Sequence, residues 1–306
     1  MGKFINPFTD VGFKRIFGQE ISKPVLIAFL NTLLEGEHHV SDLQYLDKEQ
    51  LGMGSDDRSL IYDIYCEVEG GEHIIVEMQN KSQPYFKDRS IYYLSRSISM
   101  QGERGSDWRY DVKATYLIAF LNFRLPDISG EFRTDVALMD MRTRELFSDK
   151  VRLIYLQLPL FTKELAECET LFEQMIYVLK NMDVLQRMPE LLQSAVFKKL
   201  AGIAEVASLS KEDRIKYDAD LRHFRDTLAV MDGQFLEGEK KGEKRGLAKG
   251  LAKGRAEGRA EGRAEGRAEG ERIGMEKVAR EMKSYGVSVD DIIKFTGLTA
   301  EEVERL

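Results

Sequence analysis

The hydrophobic positions of this chain change period several times, and each change marks an element. Residues 8 to 18 read Phe-Thr-Asp-Val-Gly-Phe-Lys-Arg-Ile-Phe-Gly. They put Phe13, Ile16 and Phe17 on one face of a helix that closes at Gly18, with Thr9 or Asp10 as its N-cap. Pro24 opens a second helix, Val25 to Leu34, which ends near Gly36. A polar stretch around Gly52 to Arg58 leads to Leu60–Gln79, where β-branched and aromatic residues flank Gly70-Gly71 and predict a hairpin. Residues 86 to 101 suit a helix with Ile91, Leu94 and Ile98 on one face. Lys113 to Phe123 is nearly continuously apolar and predicts a central strand; Val151 to Leu158 alternates and predicts another, stopped by Pro159. From Lys163 to about Phe235 the pattern is helical, broken at Pro189. The sum is a mixed α/β core with a helical annex.

The tail is the most regular segment. Glycine recurs at every fourth position from Gly238 to Gly274, and from Gly254 to Gly270 the unit is Gly-Arg-Ala-Glu. Within that repeat every i,i+4 pair joins like to like, as Arg255 with Arg259 and Glu257 with Glu261. The i,i+3 pairs hold no opposite charges. A lone helix here lacks its usual charge support and loses about 1 kcal/mol per glycine relative to alanine. Two readings follow, a self-associating helix and a flexible tether. Small residues let helices approach closely, and Arg and Glu stripes can pair between chains. Arg and Glu nearly balance, which argues against direct nucleic-acid binding by the repeat. Lys277 to Tyr285 then predicts a helix ended by Gly286, followed by a helix-turn-helix-sized unit over Val289–Phe295 and Ala300–Leu306. Its helix starts carry acids (Asp290, Asp291, Glu301, Glu302) and it has few basic residues, so it reads as an interaction or capping module rather than a DNA reader.

The hairpin carries the candidate chemistry. Asp63 lies on its first arm, Glu77 and Gln79 on its second, where strands otherwise hold Val or Ile. A carboxylate buried in a strand costs several kcal/mol unless it is paired, protonated or bound to a cation. Two acids and a Gln in such places suggest a divalent-metal site. Register decides it. A two-residue Gly70-Gly71 loop puts Asp63 opposite Met78; a three-residue loop, Glu69 to Gly71, with a glycine bulge puts it opposite Glu77. Both loops suit Gly-Gly; the first sends Asp63 to the opposite side from Glu77, and an edge hairpin whose acids merely face solvent is the competing reading.

Composition narrows the classes. With 306 residues, 43% hydrophobic and 32% charged, the chain holds one or two cored domains plus an extension. A net charge of −7 means that any nucleic-acid surface is local. Cys66 and Cys168 are too few for a disulfide framework or a zinc cage, and the four histidines are scattered. No signal pattern or long apolar run appears, so the cytoplasm is the expected compartment and no membrane partner is expected. No Ser-His-Asp, nucleotide-loop or HExxH pattern is present.

Four stretches in order resemble the Rpn family of recombination-promoting nucleases, the PD-(D/E)XK nuclease family transposases. They are Asn6 to Gly18; Asp63 before the hairpin; Val76-Glu77-Met78-Gln79; and Arg89-Ser90-Ile91-Tyr92-Tyr93-Leu94-Ser95. The repeat tail and the closing Thr296-Gly297-Leu298-Thr299 look like that family's usual C-terminus. The likeness is weakest between about 160 and 235. It implies a restriction-endonuclease-like α/β core, a mixed sheet flanked by helices, over residues 1–160. A helical annex over 161–236, the helical or flexible repeat tail over 237–275 and a small helical module over 276–306 complete the organisation.

The same resemblance implies metal-dependent DNA cleavage, with Asp63 and Glu77 holding Mg²⁺. Gln79 stands where the wider superfamily has a lysine, a departure common in this family. It can orient water or hold a phosphate oxygen but supplies neither charge nor base, so a nearby cation must compensate. Lys14 and Lys81 are the candidates, Lys81 provided that the strand extends two residues past Gln79. Asp10, Arg89 and Tyr93 are carried over as substrate-side residues; Asp10 also reads as a helix cap and Tyr93 as a packed aromatic. The leading expectation is a Mg²⁺-dependent DNA endonuclease that oligomerises through its tail. The alternatives are a weakly active or inactive DNA-binding or regulatory protein on the same fold, and an oligomeric interaction scaffold.

Overall fold

The computed structural model describes residues 2–50, 60–102, 108–126, 128 and 130–306. The polar stretch expected around Gly52 to Arg58 lies outside the described residues. Two compact units divide the chain, Met1–Met231 and Asp232–Leu306.

In the first unit, helix α1 (Asp10–Phe17) is capped by Thr9, whose side chain accepts from Gly12 N, so Asp10 is the first helical residue and not the cap. Gly12 is required by packing. A Cβ there would lie 2.0 Å from the carbonyl oxygen of Asn6. Helix α2 (Lys23–Leu33) begins with Pro24 in its first turn, as expected. The strands are β1 (Leu43–Tyr45), β2 (Glu49–Gln50), β3 (Leu60–Ile61), β4 (Ile64–Val68), β5 (His73–Gln79), β6 (Thr115–Leu121), β7 (Arg133–Met139) and β8 (Leu146–Gln157). Six of them form one sheet in the order β1-β4-β5-β6-β8-β7, while β2 and β3 pair separately. The pairs β5–β6 and β6–β8 are parallel and the others antiparallel. β6 sits inside the sheet with both faces covered, which is why Thr-Tyr-Leu-Ile-Ala-Phe-Leu reads as an unbroken apolar run.

Period-two alternation sends side chains to two cores. On one face Ile74, Val76, Ile118 and Phe120 pack under α1, α2, α4 (Leu171–Asn181) and α5 (Ala195–Ala204). Phe120 lies 5.7 Å from Phe13 and 5.3 Å from Phe29, ring centre to ring centre, which anchors α1 over the sheet. On the other face Ile75, Leu117, Leu121 and Tyr155 pack under α3 (Phe86–Met100). The buried face of α3 is Phe86, Ser90, Tyr93, Leu94 and Ser97, and Ile91, expected inside, is exposed. Serines replace the expected isoleucine because their hydroxyls are satisfied by tyrosines across the interface. Ser90 Oγ meets Tyr155 Oη at 2.6 Å, and Ser97 Oγ meets Tyr65 Oη at 3.0 Å.

Helix α6 runs from Lys211 to Ser284, through every glycine of the repeat. Its first turns belong to the first unit, where Tyr217, Leu221 and Phe224 join the core. In the second unit every residue from 232 to 275 is exposed. The charge pairs of this stretch, Lys241–Glu237, Lys253–Glu257, Arg267–Glu271, Arg272–Glu269 and Arg272–Glu276, each involve a residue at or beyond an edge of the strict repeat. The unit ends in α7 (Val289–Thr296) and α8 (Ala300–Arg305), with Gly297 left-handed between them and a Thr299–Glu302 capping box. Ala279, Ile292, Leu298 and Val303 are its core. Lys283 Nζ donates to the carbonyls of Val303 and Glu304, where a helix C-terminus favours a cation.

Candidate active site

The site is built by the hairpin of β4 and β5. Ile64 pairs with Val76, Tyr65 with Ile75, Cys66 with Ile74 and Glu67 with His73. Val68 N donates to Glu72 O at 2.9 Å, and Gly71 N donates to Val68 O at 2.8 Å. The loop is therefore Glu69 to Gly71, the three-residue alternative, with Gly71 at φ +86° in the left-handed region that such a bulge demands. Extending this register by one rung brings Asp63 opposite Glu77.

Asp63 stands where the chain changes partners. Before it, Tyr62 N donates to Lys48 O, beside the β2–β3 pair; after it, β4 joins the main sheet. The bend removes the backbone acceptor that a further rung would have offered to Met78. The Asp63 carboxylate takes its place, Oδ2 accepting from Met78 N at 2.8 Å. In return Asp63 N donates to Glu77 Oε1 at 3.3 Å. Glu77 is 2% exposed. Its other oxygen faces Gln79 Nε2 at 3.4 Å and Arg89 Nη2 at 4.0 Å.

Both acids are held toward protonation. Burial pushes Glu77 upward first, and the neighbouring Asp63 charge adds to it, carrying it to about 8. Asp63 is also raised, by burial above all; the Met78 N–H, Lys14 and Arg89 oppose the shift while Asp10 reinforces it. Two adjoining carboxylates with this bias call for a proton or a cation between them. Their oxygens are hard ligands of the kind that Mg²⁺ or Ca²⁺ takes, so the donor set fits a divalent ion of that class. Among the described residues no group of three or more His, Cys, Asp or Glu side chains forms a metal cage. Two carboxylates suffice for an ion such as Mg²⁺, which keeps several waters and is commonly held by one or two carboxylates plus substrate oxygens.

The remaining sequence-derived residues arrange themselves around this pair. Arg89 lies 4.8 Å over the ring of buried Tyr93, and Arg89 Nη1 donates to Gln83 Oε1 at 3.2 Å. Tyr93 is thus a packed support for Arg89, and its carbonyl accepts from Tyr62 Oη at 3.1 Å. Lys14 pairs with Asp10 at 2.6 Å. Lys14 and Asp63 both line an open cleft of about 380 Å³. β5 ends at Gln79, so Lys81 lies beyond the strand, and the same-face argument for it lapses. It is exposed and lines a second cleft, of about 250 Å³, together with Gln79 and Asp10.

Several positioning residues escaped the sequence reading. Asn122 Nδ2 donates to Asn80 Oδ1 at 2.5 Å, and Asn80 Nδ2 donates to Phe8 O at 2.7 Å, tying the end of β5 to the approach of α1. Asp220 Oδ2 accepts from Val11 N at 3.1 Å, so α6 braces the first turn of α1. Asn6, 4% exposed, accepts from Phe8 N and donates from its own N to Tyr217 Oη. The available signal was the run of Asn residues after apolar strands, where buried amides serve as connectors; nothing local marked Asp220.

A family model described as "PD-(D/E)XK nuclease family transposase" matches residues 7–234, well over half of the chain. Searches of the curated proteins and of the solved structures returned no match. The six-stranded mixed sheet flanked by helices agrees with the restriction-endonuclease-like α/β fold of that family. Among the described residues no helix is long and apolar enough to cross a membrane.

Proposed function

Since the chain belongs to the PD-(D/E)XK nuclease family transposases, we propose that it is a Mg²⁺-dependent DNA endonuclease whose ion is held by Asp63 and Glu77. The observation that carries this reading is the pair itself, Glu77 buried and Asp63 half-buried, two carboxylates on one rung at the point where the strand changes sheets. A divalent ion bound there supplies neutralisation of phosphate charge and acidification of a water molecule. Glu77 contributes a carboxylate fixed by Asp63 N, and Asp63 one fixed by Met78 N, so neither swings to solvent. Gln79 orients water or a phosphate oxygen next to Glu77. Arg89, stacked on Tyr93, holds positive charge beside Glu77, where the superfamily's lysine is missing. Lys14, positioned by Asp10, offers a second cation on the Asp63 side.

In this reading residues 1–160 form the nuclease-like core, 161–236 the annex that braces α1, 237–275 the self-associating tail and 276–306 its terminal module. The test is plasmid cleavage by the full chain in Mg²⁺ and in EDTA, beside Asp63→Ala and Glu77→Ala. We expect Mg²⁺-dependent cutting that falls roughly a hundredfold or more in either variant. Unchanged cleavage in both would remove the site. A neutral Gln79 and a Glu77 biased toward protonation favour a second reading, a weakly active DNA-binding protein. DNA binding without Mg²⁺-dependent cutting would select it.

A further inference from the structure

We propose that Lys48 and Lys81 bind the two DNA phosphates that flank the scissile one, so that the substrate strand crosses the carboxylate pair from one cleft to the other. The inference rests on the reading of the site as a DNA-cleaving centre. Two open clefts each take a residue from α1, Asp10 in one and Lys14 in the other. One, of about 380 Å³, contains Lys14, Lys48 and Asp63; the other, of about 250 Å³, contains Asp10, Gln79 and Lys81. Asp10 and Lys14 sit one helical turn apart and close on each other at 2.6 Å, so the two α1 charges that line the clefts offset each other. The pair Asp63–Glu77 contributes Asp63 to one cleft, while Gln79, the next residue on Glu77's face, opens into the other.

Each cleft thus holds one exposed lysine, and neither Lys48 nor Lys81 makes an ion pair with another described residue. The other cations at the site are engaged, Lys14 by Asp10 and Arg89 by Glu77, Gln83 and the Tyr93 ring. An unpaired ammonium has its charge free for a polyanion. The clefts also hold carboxylates, Asp47 and Asp63 in one and Asp10 and Asp220 in the other, so on a chain of net charge −7 the two lysines are the groups of each lining to which a phosphate backbone is drawn. Lys48 is fixed at this place because its carbonyl accepts from Tyr62 N, one residue before Asp63. Lys81 is fixed because Asn80 ties its neighbour to Phe8. Each lysine is therefore carried by the backbone that sets a catalytic carboxylate or amide.

The test is the salt dependence of DNA binding, read by fluorescence anisotropy with the full chain in EDTA, on a labelled duplex and on its single strand. Lys48→Ala and Lys81→Ala should each bind duplex about eightfold more weakly at 0.1 M salt. Each should also lower the slope of log affinity against log salt by about 0.9 on duplex and about 0.7 on single strand. Lys199→Ala, on the exposed side of α5, should match the unaltered protein. An unchanged slope in either variant, or an equal loss in Lys199→Ala, overturns the proposal. No affinity for DNA at all overturns it together with the DNA substrate. Lost slopes without plasmid cleavage in Mg²⁺ uphold the two phosphate contacts and overturn only hydrolysis.

Discussion

The backbone N–H of Asp63 donates to Glu77 Oε1 at 3.3 Å, and the Asp63 carboxylate in turn caps Met78 N at 2.8 Å. The two acids are thereby fixed by the hairpin rather than by each other. Their roles separate on substitution. Asp63→Asn keeps an acceptor for Met78 N, so it should fold and melt like the unaltered protein while losing roughly a hundredfold or more in cleavage. Asp63→Ala removes the acceptor as well and should cost about 1 kcal/mol of stability in addition. Thermal melts beside nicking assays separate the two; a stable, fully active Asp63→Asn would sink the ligand role.

Glu77 predicts an unusual pH dependence in the metal-free protein. Its folded pKa is raised to about 8, so between the ordinary carboxylate range and that value the folded state keeps a proton that the unfolded chain has released. Stability is therefore full below the ordinary range and is lost as pH rises toward about 8. In EDTA the melting temperature should fall between about pH 5.5 and about pH 8.5, and Glu77→Gln should flatten the decline. Mg²⁺ should reverse it, because binding displaces the proton and its affinity rises with pH over the same window. Equal melting temperatures at both pH values in EDTA would contradict the buried-pair account.

Arg89 holds Glu77 down against burial and Asp63. Arg89→Ala should accordingly move the rise of kcat/KM to higher pH, since more alkaline solution is then needed to ionise Glu77. Arg89→Lys should restore part of that shift. It should not restore turnover, because an ammonium cannot contact Gln83, the Tyr93 ring and Glu77 together as the guanidinium fork does. A pH profile unmoved in Arg89→Ala would remove this electrostatic role.

Gly12 tests the seat of α1. A Cβ at this position meets the Asn6 carbonyl at 2.0 Å, and Asn6 is itself fixed by Tyr217 and Phe8. Gly12→Ala should cost about 1–3 kcal/mol, seen as a lowered melting temperature. Cleavage should weaken too, because α1 carries Asp10 and Lys14 to the clefts. A variant as stable as the parent would mean that the approach to α1 is freer than the contact implies.

The layers of the fold were legible where apolar periodicity was strong, as in α1, β6 and the hairpin arms. The pair Asp63–Glu77 was legible as chemistry but not as geometry, because two loop lengths suit Gly70-Gly71 and differ by one rung; the positive φ of Gly71 decides between them. β7 was not legible, since its residues are exposed or half-buried on an edge and lack a strict alternation. α3 misled by one residue because hydroxyl pairs bury Ser90 and Ser97 as firmly as a methyl group would. Asp220 lies far from the hairpin in sequence and reaches the site only through the docking of α6, while Lys48 precedes the hairpin closely but is set beside it only by β2–β3 pairing.

The repeat of α6 predicts its own partner. At about 100° per residue, each Arg lies about 100° to one side of the Gly row and each Glu about 60° to the other. Two helices facing through these rows in parallel set the Arg flank of one against the Glu flank of its partner; an antiparallel pair sets Arg against Arg and Glu against Glu. The i,i+4 pairs inside the strict repeat are all like-charged and residues 232 to 275 are exposed, so in-chain charge support is confined to the ends of the repeat and pairing with a second copy would add to it. Since the row drifts about 40° per repeat, the winding should be right-handed. Light scattering should give the full chain a larger mass than a version ending at Phe235. Gly254→Cys, in the facing row, should form a disulfide to the same residue of a second copy, as a parallel, in-register pair requires. Identical masses would remove self-association. A larger mass without that disulfide, with Gly254→Cys instead linking to a cysteine placed at Gly270, would reverse the direction of pairing.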